Sequence, residues 1–323
     1  MYDFSVVVLQ GAYASSIALT RDLLAAATAL APRAGVSPPR WRVASLHGGN
    51  VPLGGGMSID TVRLPGRAGK DPSLWILPGL GLNTPEAVTA RLAESDVAIL
   101  LPRLAQHVNA GGRIAASCSA VFLLQAAELL AGRRVTTTWW LAPHLQQLAS
   151  RCTVDADQMI CADGPFVTAG AAFAQSDLML HLLRERCGAR LAALVARMAL
   201  LDARQAQAPF IVPEVMASGS ALVARITAKV EAALPNPPSI AELAREFCMS
   251  ERTLSRHVRR ATGKSTVSLL QGIRLQRARA LLENSRMTVE RVAEAVGYQG
   301  ATALRRLIKK VNGFNPSHFR TSV

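Results

Sequence analysis

Two stretches near the C-terminus carry residue types that read nucleic acid. Glu251–Ala261 reads ERTLSRHVRRA and Ala301–Val311 reads ATALRRLIKKV. In the first, Leu254 and Val258 stand four apart, the spacing of a helical face that turns to a core. Arg252, Ser255, Arg256 and Arg259 then point outward. In the second, Leu304 and Ile308 face in, which leaves Thr302, Arg305, Arg306 and Lys309 partly or wholly outside. A guanidinium fork matches the major-groove edge of guanine, and a hydroxyl is more permissive. A good bidentate contact contributes about 1–3 kcal/mol of discrimination. Arg260 and Lys310, near the helix C-termini, suit phosphates, which add affinity without sequence choice.

The elements that hold these stretches form an internal repeat. At an offset of 49 residues, Ser239 pairs with Thr288, Ile240 with Val289, Leu243 with Val292, Ala244 with Ala293 and Phe247 with Val296. The same offset pairs Leu254 with Ala303, Val258 with Leu307 and Arg256 with Arg305, and sets Arg259 against Ile308 and Arg260 against Lys309. Each copy predicts an N-capped amphipathic helix, a three-residue break and a second, basic helix. The breaks are Cys248-Met249-Ser250 and Gly297-Tyr298-Gln299. This is the helix-turn-helix layout, in which one helix braces and the other lies in the major groove. A helical bundle that binds a protein would share the pattern.

Charge points the same way. The 323 residues carry 36 Lys+Arg against 22 Asp+Glu, a net of +14. Residues 220–323 alone hold 18 Lys+Arg and 7 Asp+Glu, a net of +11. Such asymmetry suits a polyanion, either nucleic acid or an acidic membrane surface, or else a solvated basic face. No apolar run reaches the roughly 18 residues of a membrane span. The start, Met1-Tyr2-Asp3-Phe4, has no basic n-region, and Val6–Leu9 suits a first strand better than a signal peptide. Five cysteines without metal-ligand spacing argue against a disulfide scaffold and a structural zinc site, and for a reducing cytoplasm. No metal and no cofactor are expected.

One further residue could do chemistry. Arg113–Ser117 predicts a strand and Ala120–Leu130 a helix, with Cys118 at the joint between Ser117 and Ser119. A strand-to-helix elbow flanked by small residues exposes its side chain near a helix N-terminus, where a thiolate is favoured. The alternative is a small buried core cysteine. Around it, Val6–Leu9, Trp41–Leu46, Leu74–Leu77 and Phe166–Thr168 predict further strands. Ala14–Leu30, Ala87–Ala110, Ala172–Arg186 and Ala189–Asp202 predict helices. Alternation of this kind predicts βαβ units and a mostly parallel, covered sheet. Gly48–Gly56 predicts a turn. Residues 204–222, with Pro209, Pro213 and Gly219, predict a linker. Beyond it lie helices at Val223–Leu234 and at 240–247, 251–261, 266–282, 289–296, 301–311 and 316–321.

Residues 223–323 resemble the DNA-binding domain of the AraC family of transcription regulators. The resemblance rests on Ser239-Ile-Ala-Glu-Leu-Ala244, Ser250-Glu-Arg-Thr-Leu-Ser-Arg256, Gly297-Tyr-Gln299 and the closing Gly313-Phe-Asn-Pro-Ser-His-Phe-Arg320. It implies base-facing residues at Arg252, Ser255, Arg256, Thr302 and Arg306, and we group Arg305 with them. Arg259, Arg260, Lys309 and Lys310 form the phosphate set. Cys248 stands where a small residue is usual, and Ala301-Thr302-Ala303 is less polar than most second recognition helices.

Residues 1–203 resemble the DJ-1/PfpI, class I glutamine amidotransferase-like fold. The residues that carry this are Ser5–Leu9, Leu74-Trp-Ile-Leu-Pro-Gly79, Ala115-Ala-Ser-Cys-Ser119, Thr136-Thr-Thr-Trp139 and Phe166-Val-Thr-Ala-Gly170. The order of the two domains resembles the GlxA-type regulators. Enzymes of this fold place an acid after the first strand. Here that position falls near Ser16, and 10–19 hold no carboxylate. A nucleophile without a positioned base is a weak catalyst. No catalytic residue is therefore assigned, and the domain is expected to sense a small-molecule effector.

The effector pocket is expected at the carboxyl ends of the strands. Cys118, Ser119, Ser16, Gly79 and Trp139 are its expected lining, with Trp140 as an alternative wall. The tryptophan pair also reads as plain core. Related regulators suggest a small nitrogen compound, which an aromatic wall would suit. The expected partners are double-stranded DNA, a second copy of the chain and RNA polymerase, with no membrane, and activation is the family default. The rival readings are a cysteine-dependent hydrolase or glyoxalase, an effectorless DNA-binding protein, and a redox sensor at Cys118.

Overall fold

The computed structural model describes residues 2–65, 71–202, 204, 206–207, 221–312 and 315–319. The chain divides into two compact units, Met1–Gln207 and Ala208–Val323. The boundary falls three residues beyond the start of the expected linker. Arg204 and Gln207 belong to the first unit because their side chains find buried partners there. Residues 208–220 of that expected linker lie outside the described residues.

The first unit is a three-layer α/β/α sandwich. Its strands are β1 (Phe4–Val7), β2 (Trp41–Ser45), β3 (Gly49–Pro52), β4 (Ser58–Arg63), β5 (Leu74–Leu77), β6 (Ile114–Ser117), β9 (Ile160–Asp163) and β10 (Phe166–Ala169). They lie in the order β3-β4-β2-β1-β5-β6-β10-β9. The inner pairs are parallel, with Val6 opposite Val43 and Ile76, and Ala115 opposite Val167. β3 and β9 pair antiparallel at the two edges. A short parallel pair, β7 (Arg134–Val135) and β8 (Thr153–Val154), stands apart.

Strand alternation sends neighbouring residues to opposite cores. Val6, Ile76, Ala115 and Val167 join α1 (Ala14–Ala34), α6 (Ala174–Cys187) and α7 (Ala189–Met198) on one face. Val7, Trp75, Leu77, Ile114 and Ala116 join α2 (Pro85–Leu92), α3 (Ser95–Asn109), α4 (Val121–Ala126) and α5 (Ala142–Leu148) on the other. This explains the continuous apolar strands, since both faces are covered.

Three local expectations are corrected. The single helix expected over Ala87–Ala110 is two, interrupted at Ala93-Glu94. There the buried Arg91 reaches Asp96 at 2.7 Å and the carbonyl of Gln10 at 3.2 Å. Gly48–Gly56 is not only a turn, because Gly49–Pro52 pairs with β4. The helix expected to begin at Ala120 and run to Leu130 begins after a 3-10 turn over Cys118–Ala120 and ends at Ala126, shortly before Glu128, whose φ is 59°.

The second unit is helical throughout its described residues. Its helices are α8 (Ala221–Ala232), α9 (Ile240–Glu246), α10 (Glu251–Thr262), α11 (Thr266–Asn284), α12 (Val289–Ala295) and α13 (Ala301–Asn312). Of the segment expected helical at 316–321, Pro316–Phe319 form a 3-10 turn. α11 serves two cores. Leu269 and Ile273 pack with Val223, Ile226, Leu243, Leu254 and Val258. Leu275, Ala278 and Leu282 pack with Val292, Val296, Leu304 and Ile308. At 1.5 Å per residue this 19-residue rod spans about 28 Å and carries one helix-turn-helix unit at each end.

Candidate nucleic-acid interface and effector site

Each brace helix starts on a side-chain cap. Ser239 and Glu242 form a capping box, in which Ser239 N donates to Glu242 Oε2 at 2.7 Å and Glu242 N donates to Ser239 Oγ at 3.2 Å. Thr288 Oγ1 accepts from Arg291 N at 3.2 Å. The first recognition helix, α10, is capped by Ser250 through Thr253 N at 3.2 Å. Its inner seam is Leu254, Val258 and Thr262, all buried, while Arg252, Arg256, Arg259 and Arg260 are exposed. Ser255 is half-buried at the edge of this face, where its hydroxyl accepts from Thr266 Oγ1 at 3.3 Å.

In α13, Leu304 and Ile308 are buried, and Thr302, Arg305, Arg306 and Lys309 are exposed. Arg305 Nη2 donates to Glu290 Oε1 at 2.8 Å and so ties the recognition helix to its brace. The side chain of Lys310 lies outside the described residues.

The repeat offset is corrected here. The brace helices superpose at 49 residues, since Leu243 and Val292 fill equivalent core positions. The recognition helices correspond at 50, because Leu254 and Val258 match Leu304 and Ile308 rather than Ala303 and Leu307. Four residues, 247–250, separate α9 from α10, and five, 296–300, separate α12 from α13. The extra residue falls after the left-handed position of each turn, Cys248 at φ 54° and Gly297 at φ 83°. At the corrected offset Arg252 matches Thr302, Arg256 matches Arg306, Arg259 matches Lys309 and Arg260 matches Lys310. Ser255 matches Arg305. The two outer faces are thus chemically closer than the uncorrected register implied.

Gly297 also brings the two helix-turn-helix motifs together. A Cβ at this position would fall onto the carbonyl oxygen of Pro235 and within 3.3 Å of Pro237 Cδ. The turn of the second helix-turn-helix motif therefore rests directly on the loop that opens the first motif.

In the first unit β6 leads into the Cys118 elbow. Cys118 has φ 54°, a left-handed conformation that is uncommon outside glycine. Its N–H donates to Gly170 O at 2.8 Å, and its carbonyl accepts from Thr137 Oγ1 at 2.7 Å. Gly79 faces it closely, since a Cβ there would stand 3.0 Å from Cys118 Cβ and 3.6 Å from Sγ. Ser119 Oγ accepts from Leu80 N at 3.1 Å and Leu82 N at 3.4 Å, so this hydroxyl fixes the loop after β5. The structure thus brings Cys118, Ser119 and Gly79 together. Ser16 is buried on α1 and donates to Ala172 O at 3.5 Å. Trp139 is 6% exposed and packs edge-on against Trp140 with ring centroids 5.0 Å apart, beside Thr138 of the elbow's supporting loop.

Of the two readings of Cys118, the exposed, thiolate-prone elbow is corrected and the buried cysteine holds. The residue is 0% exposed. Burial pushes its thiol up, outweighing the lowering effects of the Ser119 N–H, the Ser119 hydroxyl and the Thr138 hydroxyl. The 3-10 turn at the elbow also replaces the regular first turn of a helix. His107 does not serve this site. It is buried, stacks on Trp75 at 4.2 Å, and has Nε2 3.2 Å from Arg113 O. His144 stacks on Phe122 at 5.7 Å. Among the described residues no group of His, Cys, Asp and Glu could hold a metal ion.

Two elements of the site were not foreseen. Tyr13 N donates to Gly79 O at 2.8 Å and anchors that loop to the start of α1. Gln207 reaches the elbow's support from the end of the unit, with Nε2 donating to Thr137 O at 3.0 Å. Neither carries a spacing or motif in the sequence that marks it.

Residues 72–185 match the DJ-1/PfpI family, and residues 243–322 match a helix-turn-helix domain family. The chain is 27% identical over 285 residues to the HTH-type transcriptional regulator CdhR of Pseudomonas aeruginosa, which covers 87% of this chain and 81% of that protein. It is 27% identical over 311 residues to the HTH-type transcriptional regulator GlxA of Rhizobium meliloti, covering 94% and 91%. An AraC family transcriptional regulator from Pseudomonas putida has the same fold over 62% of this chain and all of that one, at a TM-score of 0.50 and 22% identity. No described helix is long and apolar enough to cross a membrane. The chain is a transcriptional regulator that joins a DJ-1/PfpI-family domain to an AraC-type double helix-turn-helix domain.

Proposed function

We propose that this regulator reads a bipartite operator with both recognition helices of each chain and is controlled by a small molecule bound beside Cys118. One observation carries the first part. Two helices present basic side chains at corresponding positions, over seams buried by corresponding residues. Arg252, Ser255, Arg256, Thr302, Arg305 and Arg306 read bases, with Ser255 and Arg305 at the margins of the face. Arg259, Arg260, Lys309 and Lys310 grip phosphates. The protein acts in the cytoplasm as a homodimer on two half-sites and as an activator that engages RNA polymerase.

The first domain senses rather than turns over. The thiol is sealed, its proton is held, and residues 10–19, where the resemblance places an enzyme's acid near Ser16, hold no carboxylate. The effector, a small nitrogen compound, is held among Cys118, Ser119, Ser16, Gly79 and Trp139. No cofactor and no metal take part.

Genome-wide binding of tagged wild-type protein beside Arg256→Ala and Arg306→Ala tests the reading. Discrete peaks with a two-block motif are expected, with one block relaxed in each variant. Peaks indifferent to both arginines would overturn it.

A further inference from the structure

Gln207 is the last residue of the first compact unit, and residue 208 begins the second. A residue at the boundary between two compact units is ordinarily solvated. Gln207 is instead 2% exposed, and both ends of its amide are bonded. Nε2 lies 3.1 Å from Thr136 Oγ1, 3.0 Å from Thr137 O, 3.0 Å from Gln158 O and 3.3 Å from Ala156 O. Oε1 accepts from Ala171 N at 2.8 Å. The backbone N–H donates to Asp157 O at 2.8 Å, and Ala206 bridges Gln158. A Cβ on Gly170 would land on this amide, so a glycine there admits it. Arg204 anchors the same stretch, with its guanidinium on Asp177 Oδ2 at 2.6 Å and its N–H on Oδ1 at 2.8 Å.

The partners of Gln207 are also the partners of the elbow. Thr137 gives its carbonyl to Gln207 and its hydroxyl to Cys118 O. Gly170 gives its carbonyl to Cys118 N, and the next residue gives its N–H to Gln207. Two short relays, one through each loop, thus join the Cys118 peptide to the Gln207 amide.

We propose that Gln207 is a positioning residue and the output element of the effector site. A ligand that shifts the elbow undocks Gln207, and an undocked Gln207 relaxes the elbow. This rests on the reading that the first domain binds an effector. Release of Arg204 and Gln207 from their partners lengthens the chain available between the units by up to roughly 13 Å, at about 3.3 Å per extended residue. Tether length sets the effective concentration at which a second DNA-binding domain meets its half-site. The coupling is reciprocal, since each event biases the other equally.

The test uses the full-length chain. Trypsin cleavage after Arg204 reports undocking, and iodoacetamide labelling of Cys118 reports the elbow, both read by mass spectrometry. Thr137→Val removes the hydroxyl on Cys118 O but keeps the carbonyl that Gln207 uses. It is expected to speed cleavage after Arg204 about fivefold, the shift that loss of one hydrogen bond allows, while Thr137→Ser restores the wild-type rate. Gln207→Ala is expected to speed Cys118 labelling by a similar factor. It should also change affinity for the duplex that wild-type protein selects from a random-sequence DNA library.

Unchanged cleavage in Thr137→Val with unchanged labelling in Gln207→Ala would overturn the coupling. If both rates rise while DNA affinity holds, the output role is overturned. Arg256→Ala on the same duplex judges DNA reading separately, so failure of that reading is distinguishable. Should Gln207→Ala unfold the domain, Thr137→Val still decides, because it leaves every bond of Gln207 in place.

Discussion

Gly297→Ala isolates the contact between the two helix-turn-helix units. Gly297 and Gly263 both sit in left-handed conformations, at φ 83° and 70°. A side chain in that region costs about 1–2 kcal/mol. Replacing glycine also stiffens the unfolded chain, which returns about 0.4–1 kcal/mol. The net loss common to both positions is then about 1 kcal/mol. At Gly263 a Cβ meets nothing within 4 Å, so that figure is the whole effect. At Gly297 the Cβ meets the Pro235 carbonyl, a backbone atom that cannot swing aside, and Pro237 Cδ at 3.3 Å. Overpacking of this kind adds about 1–3 kcal/mol. Gly297→Ala is therefore expected to destabilise the helical unit by about 2–4 kcal/mol, against about 1 for Gly263→Ala. Native-state hydrogen exchange in the full chain, resolved on peptides within residues 221–312, measures both. Equal losses would refute the contact between the Gly297 turn and the Pro235 loop. Moderate urea should also cost Gly297→Ala its second motif block before the first, because the second recognition helix is the one displaced.

Other expectations follow from the same geometry. Cys248 holds φ 54°, so Cys248→Gly relieves about 1–2 kcal/mol of left-handed strain against the added chain entropy of glycine, for a net gain of about 0.5–1 kcal/mol in the same exchange experiment. Arg259→Ala and Lys309→Ala should each reduce the slope of log affinity against log salt by about 1 at every DNA sequence, whereas Arg256→Ala should flatten base preference. Burial holds His107 below its ordinary value, so the unfolded chain takes up the proton first. Stability of the first unit should therefore fall as pH drops through about 6.5, and His107→Gln should blunt that slope in pH-dependent urea unfolding. Iodoacetamide should label the exposed Cys248 well before the buried Cys118, and the reverse order would contradict the sealed elbow.

The sequence made legible whatever rests on period and local chemistry. The apolar runs of β1, β5 and β6 announce strands covered on both faces, and Leu254/Val258 and Leu304/Ile308 announce the recognition seams. Ser239 and Thr288 announce the brace helices because a cap is a purely local device. The elbow at Cys118 was legible from its small neighbours. The choice between an exposed and a buried thiol was not, because it depends on Gly79 arriving from a distant loop that Tyr13 anchors. The extra residue of the second turn was hidden by a repeat that stays plausible at either offset: Leu254 meets an apolar residue at both Ala303 and Leu304. Gln207 was illegible for a sharper reason. Its neighbourhood has linker composition, and only the folded arrangement of Thr136–Gln158 and Gly170–Ala171 makes an interior position for it.

All four tryptophans, Trp41, Trp75, Trp139 and Trp140, lie in the first compact unit, and the second has none. Trp41 donates to Thr28, Trp75 donates to Asp71, and Trp139 adjoins the loop that supports the elbow. Indole emission is therefore a private optical channel of the α/β domain. DNA can be titrated onto the other domain without placing an indole at the contact, because the aromatic residue of its second turn is Tyr298. A change in indole emission on adding DNA, once corrected for absorbance by the DNA, then reports an effect on the first unit.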